Sequence, residues 1–233
     1  EEKIAERIDA NLLNVNIRDI AELPEVLYKS KVTEISRKTQ GKLIIKEYPT
    51  ASAHAGHFKA LLSDLSLKKG FKPDIIFIDY LNICASARYK GAIVNSYTYV
   101  KAIAEELRGL AVEHNLPIVS ATQTTRSGFG SSDPDLTDTS ESFGLPATAD
   151  LMFALISTEE LEQQGRLMVK QLKNRYNDPT SSRKFMVGID RSKMRLYDVA
   201  EDANVINVEE DEDTNPQFTE TKNRLSKFAE WNV

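Results

Sequence analysis

Apolar residues along the chain recur with two alternating periods. Residues 2–13 and 25–40 repeat at helical spacing, as do Phe58, Leu61, Leu62 and Leu65 within His57–Lys69. Between these helices Lys42–Tyr48 (KLIIKEY) is a short β-rich run. Asp74–Asp79 (DIIFID) is a continuous apolar run closed by a carboxylate, the pattern of a strand buried on both faces. Ser96–His114 carries Ile103, Leu107 and Leu110 on one side of a long helix, and Leu116–Thr122 (LPIVSAT) reads as a second buried strand. From Thr124 to Thr148 the chain is polar, rich in Gly, Ser, Thr and Asp, and without a period. Leu151–Ile156 is again a strand, followed by a short helix near Thr158–Gln164. Three strand-like runs then follow in succession: Arg166–Leu172, Arg183–Asp190 and Met194–Val199.

Strands alternating with helices, then strands in succession, predict an α/β fold. Its sheet should be mainly parallel, with helices on both faces and a C-terminal β-hairpin. Residues 1–198 form the body. Residues 199–233 read as a flexible acidic tail carrying a short amphipathic segment, Thr221–Trp231. No internal repeat is evident.

Charge refines this division. The formal net charge is -5, from 30 basic and 35 acidic residues. The tail from Val199 onward holds nine acidic and three basic residues, so the body is close to neutral. A near-neutral body still binds a polyanion if a few basic groups converge. No apolar run approaches a membrane span, and the start, EEKIAERIDANLL, reads as a charged amphipathic helix rather than a signal peptide. Cys84 is the single cysteine and has no partner for an internal disulfide, which fits a reducing cytoplasm.

Asp79 is the first candidate for chemistry. A carboxylate at the C-terminal end of a buried parallel strand sits at the edge where open α/β sheets bind ligands, and there it can hold a nucleotide-bound Mg²⁺ directly or through water. Many strands also end in an Asp that only caps backbone. Gln123 ends the next strand, where a neutral amide can sense a terminal phosphate or orient an attacking water; a polar strand-end residue satisfied by backbone is the plainer reading. Lys173 and Arg175 lie on the same face of an extended strand, two cations suited to one phosphoryl group; a solvated hairpin tip is the plainer reading. The stretch Thr124–Thr148 is too long for a mere connection. Arg126, Ser127, Gly128 and Gly130 supply one charge and several small donors that can follow a nucleic-acid backbone, with Arg88 and Lys90 lining the same path; an ordinary disordered loop is the other reading of this stretch. His54 and His57, without Cys or carboxylate ligands nearby, make a poor metal pair. Gly41-Lys42 fails as a phosphate loop, because Leu43 follows where Ser or Thr is required; no GxxxxGK followed by Ser or Thr occurs in the 233 residues.

Together, DIIFIDYLNIC, NSYTYVKAIAEELRGLAVEHNLPIVSATQTTRSG, ESFGLPATADLMFAL and MVKQLKNRYND resemble the DnaB-family replicative DNA helicases, and the bacteriophage members of that family most of all. The likeness is collinear over about residues 1–198. It implies a RecA-like P-loop NTPase core with the Walker A strand missing, and a C-terminal motor domain driven by ATP and Mg²⁺. Asp79 then matches the Walker B aspartate and Gln123 the glutamine after the next strand. Arg126 to Asp138 falls where the family's DNA-binding loop lies. Lys173 and Arg175 match the Lys-x-Arg pair that enters the neighbouring subunit's ATP site. The implied assembly is a homohexameric ring around single-stranded DNA, with primase, a helicase loader or single-strand-binding protein as further partners. The phosphate-loop strand would lie between Leu116–Thr122 and Leu151–Ile156, so those two should be separated by a gap, or the sheet must close or borrow a strand. Asn177-Asp178 stands where bacterial relatives commonly have Gly after the Arg. Outside the resemblance, a non-catalytic DNA- or protein-binding module remains the other reading.

Overall fold

The computed structural model describes residues 1–89, 94–124, 134–136, 144–177 and 183–199. In chain order these run through α1 (Glu2–Leu13), α2 (Glu25–Lys38), α3 (Ala55–Lys69), β1 (Ile76–Ile78), α4 (Ser96–His114) and β2 (Ile118–Ser120). Then come α5 (Gly144–Thr148), β3 (Leu151–Ile156), α6 (Glu159–Gln163), β4 (Arg166–Asn174), β5 (Lys184–Asp190) and β6 (Arg195–Asp198), with short 3-10 turns at Ile20–Glu22 and Leu81–Ile83. The chain divides after Val199, and the tail lies outside the described residues.

The stripe read on Ser96–His114 becomes the spine of the body. Asn95 begins α4 by accepting the Thr98 N–H on its side-chain oxygen at 2.8 Å, and Asn115 ends it in the left-handed region, at φ 50°. Val100, Ile103, Leu107 and Leu110 recur every three or four residues and are buried, Ile103 to 1% exposure. Leu81, Cys84 and Leu145 complete this core, with Phe58, Ile78 and Ile118 packed against it. The helix therefore lies on one face of the pair β1–β2. Helix α3 begins with a reciprocal histidine cap. His54 Nδ1 accepts from the Gly56 N–H at 3.0 Å, and His57 Nδ1 accepts from the His54 N–H at 3.3 Å. The two histidines thus serve helix initiation. Gly70 closes the helix at φ 58°, a conformation that a side chain would strain.

The sheet differs from the expectation of a mainly parallel one. Among the described residues only β1 and β2 pair in parallel, with Ile78 opposite Ser120, whereas β3-β4-β5-β6 form a four-stranded antiparallel sheet. The C-terminal succession of strands folds as antiparallel hairpins, β4 on β5 and β5 on β6. No pairing joins β2 to β3 among the described residues, so the two sheets remain separate at the place where a gap was anticipated.

Four further readings are corrected by the structure. DIIFID is not buried on both faces: Phe77 and its cross-strand partner Val119 are 69% and 46% exposed, because no described helix covers the side away from α4. Among the described residues, then, helices do not flank both faces of this pair. KLIIKEY forms no strand, because among the described residues no neighbouring strand supplies a ladder for its backbone. The segment after it is fixed instead by the Ala51 N–H to the Ile83 carbonyl at 2.9 Å. Finally, the aperiodic stretch Thr124–Thr148 closes with a helical turn, α5, whose Leu145 enters the core.

Replacing Ile103 by alanine should leave a cavity beneath β1 and β2 and cost about 2–5 kcal/mol, measurable as a lowered urea midpoint at unchanged slope. A change below about 0.5 kcal/mol would show that α4 is not the central support.

Candidate functional site

Parallel pairing brings the C-terminal ends of β1 and β2 to one edge. The Leu81 N–H donates to the Ala121 carbonyl at 3.2 Å, so the chain leaving β1 stays paired with the chain leaving β2. At this edge Gln123 Nε2 donates to the Tyr80 hydroxyl at 3.3 Å, and Thr122 Oγ1 lies 2.8 Å from Asn82 Oδ1. The Asp79–Tyr80 peptide is cis. Asp79 and Gln123 are both exposed, and Asp79 makes no hydrogen bond or ion pair with the described residues. A carboxylate left open beside an amide on adjacent strand ends is free to take a cation or a polar ligand. Among the described residues no cluster of three His, Cys, Asp or Glu forms a metal site, so a cation at Asp79 would draw its other ligands from water and from the bound molecule.

Beyond this edge the chain turns back under control of one carboxylate on α4. Glu106 accepts from Ser86 Oγ at 2.6 Å, from the Ala87 N–H at 2.9 Å and from the Arg88 N–H at 3.2 Å. Tyr99 adds its hydroxyl, which accepts from the Ser86 N–H at 3.0 Å. The backbone at Arg88 is thus held firmly, while its guanidinium forms a surface ion pair with Glu105. Lys90 lies outside the described residues.

A second group gathers at the end of β4. Lys173 donates to the carbonyls of Pro146 and, at 3.4 Å, Ala147. Arg175 Nη2 donates to the Ala147 carbonyl at 3.1 Å, and Arg175 Nη1 stands 3.0 Å from Asp150 Oδ1. The structure therefore brings the two cations together at the C-terminal end of α5, where helix carbonyls favour positive charge. Burial, reinforced by Arg175 nearby, pulls the Lys173 ammonium below the ordinary lysine range. Arg108 of α4 joins from the other side, donating to Asp150 Oδ2 and to the Thr148 carbonyl, both at 2.8 Å. That bond to Asp150 raises the Arg108 guanidinium further above its ordinary value.

Arg126, Ser127, Gly128 and Gly130 lie outside the described residues. Neither Asp150 nor Arg108 stood out in the sequence, since each reads as a polar residue flanking an apolar run. Glu106 likewise reads as an ordinary charge on a helix face. Only their partners, remote in sequence, mark them.

The described body is thus mixed α/β, with a carboxylate and an amide at the ends of two adjacent parallel strands. The DnaB-like helicase C terminal domain family matches residues 1–191, and the chain belongs to that family. It is 45% identical over 213 residues to the DnaB-like replicative helicase of Enterobacteria phage T4, covering 90% of this chain and 45% of that protein. It therefore spans about half the length of this curated relative. Among solved structures, an isolated ATPase domain superimposes with a TM-score of 0.71 at 18% identity, covering 86% of this chain and 72% of that one. A DnaB-like replicative helicase studied for its interactions with primase gives a TM-score of 0.67 at 18% identity, covering 84% of this chain and 48% of that one. These two likenesses show the shared fold.

Glu106→Ala should loosen the backbone at 86–88 and cost about 1–3 kcal/mol, because Ser86 Oγ and the Ala87 N–H lose their acceptor and the Arg88 N–H keeps only Ser86 Oγ. Hydrogen exchange at the Ala87 and Arg88 amides should accelerate while the β4–β5 ladder keeps its protection. Unchanged exchange at both amides would remove Glu106 from this role.

Proposed function

We propose that this chain is the motor portion of a replicative DNA helicase, which unwinds duplex DNA by ATP-driven movement along single-stranded DNA as a hexameric ring. One observation carries the reading most directly: Asp79 and Gln123 lie at adjacent parallel strand ends, with Gln123 bonded to the Tyr80 hydroxyl next in sequence to Asp79, in a chain of the DnaB-like family. In this reading Asp79 would hold the Mg²⁺ of a bound ATP, directly or through water, and the chemistry supplied there would be neutralisation of phosphate charge. Gln123 orients the attacking water or senses the terminal phosphate. Lys173 and Arg175 reach a nucleotide held by the neighbouring subunit and stabilise charge during transfer. Arg126, Ser127, Gly128 and Gly130, with Arg88 and Lys90, follow the DNA backbone without reading bases. Primase, a helicase loader or single-strand-binding protein are the further partners proposed, with the acidic tail as one surface for them.

A second reading, a DNA- or protein-binding module without catalysis, draws on one fact: the 233 residues contain no GxxxxGK followed by Ser or Thr. The coding DNA before Glu1 separates the two. An in-frame phosphate-loop motif there supports the motor, and a start codon directly before Glu1 supports the module. Among the described residues no helix is long and apolar enough to cross a membrane.

Two kinetic results are expected. The purified 233-residue chain should release no phosphate from ATP above background, since no phosphate loop is present to hold the triphosphate. In the helicase subunit carrying this sequence together with a phosphate loop, Arg175→Ala should lower DNA-stimulated kcat by roughly a hundredfold or more. Robust turnover by the isolated chain, or full activity of the Arg175→Ala subunit, would overturn these assignments.

A further inference from the structure

Side chains from α4, from the start of β3 and from the end of β4 meet beside α5, and one carboxylate lies at their centre. Asp150 binds Arg108 at 2.8 Å through Oδ2 and faces Arg175 at 3.0 Å through Oδ1. Its backbone joins in, the Arg175 N–H donating to the Asp150 carbonyl at 2.9 Å. The carbonyls of Pro146, Ala147 and Thr148 take the other contacts of Lys173, Arg175 and Arg108. Arg175 is thus anchored by main chain, by a helix carbonyl and by charge.

Asp150, Arg108 and Arg175 are each more than a third exposed, so, as in an ordinary surface ion pair, their attraction is screened and adds little to folding stability. Two features set this arrangement apart. Asp150 Oδ1 is itself shielded from solvent yet takes no hydrogen bond, so Arg175 is drawn to it by charge rather than by directed bonding. One carboxylate also cannot neutralise three cations. The cluster keeps an excess of positive charge, and the Arg175 donors beyond those named have no partner among the described residues.

We propose that Asp150 is the positioning residue of the Lys173–Arg175 pair: shared between Arg108 and Arg175, it ties the end of β4 to α4 and orients Arg175 with its uncommitted N–H groups turned to a phosphoryl oxygen of the adjoining subunit. This rests on the helicase reading above and assigns to that site a residue outside the Lys-x-Arg motif. Asp150 touches no reacting atom; it acts through Arg175. Misplacement of a group that acts in the transition state lowers kcat while leaving ground-state substrate binding little changed.

The test uses the complete helicase subunit, assembled as a ring, with steady-state ATP hydrolysis on single-stranded DNA. Asp150→Asn keeps the shape and removes the charge; it should lower kcat by roughly tenfold or more and leave KM for ATP within about twofold. Asp150→Glu should recover most of kcat by restoring the charge. Arg175→Ala is measured alongside. If it abolishes turnover while Asp150→Asn matches wild type, or if Asp150→Asn raises KM alone, the positioning role is wrong and the helicase reading stands. If Arg175→Ala is itself without effect, the assignment of the pair fails, and the role of Asp150 falls with it. Should Asp150→Asn not assemble, Arg108→Gln removes the α4 anchor without touching β4, and the same split between kcat and KM decides the question.

Discussion

The body of this protein depends on one packing contact, the apolar stripe of α4 against the inner face of two very short strands. Strands β1 and β2 contribute three residues each, and a two-stranded pair of that length is marginal in water without a helix to cover it. Ile103, Leu107 and Val100 supply the cover, with Ile78 and Ile118 packed against them from the strands. The position of Asp79 and Gln123 follows directly. Their backbone is set by the parallel register, and the pair is held by Ile78 and Ile118 packed against the helix.

The same helix carries polar residues that organise two neighbouring segments. Glu106 gathers the turn at 86–88, and Arg108 reaches Asp150 at the root of β3. One turn of helix thereby links the strand-end carboxylate region to the antiparallel sheet bearing Lys173 and Arg175. These contacts are only partly buried, and their effect is on orientation more than on stability. The gap between β2 and β3 leaves this polar bridge, together with Leu145 of α5, as a connection between the two sheets.

Much of this was legible from residue order. The limits of α1, α4 and β3 follow the apolar periodicity closely, because each of these elements declares its buried face through repeated spacing. Asp79, Gln123, Lys173 and Arg175 could be singled out because chemistry-bearing residues at strand ends are recognisable in one dimension. KLIIKEY shows where such reading stops: its composition suits a strand, but a strand exists only if another edge accepts its hydrogen bonds. DIIFID shows the same limit for burial, since Phe77 is apolar in sequence yet exposed for want of a covering element.

Local pattern, by itself, determined the α/β class of the fold, the order of its main elements and which chemistry-bearing residues stand at strand ends. Those properties depend on interactions between residues a few positions apart or on the intrinsic chemistry of one side chain. Tertiary structure alone decided that most of the described strands pair antiparallel, that β2 and β3 stay apart, that two histidines cap a helix, and that Asp150 is shared by two arginines. Each of these depends on which atoms meet in space, and opposite charges attract across a few ångströms whatever the length of chain between them.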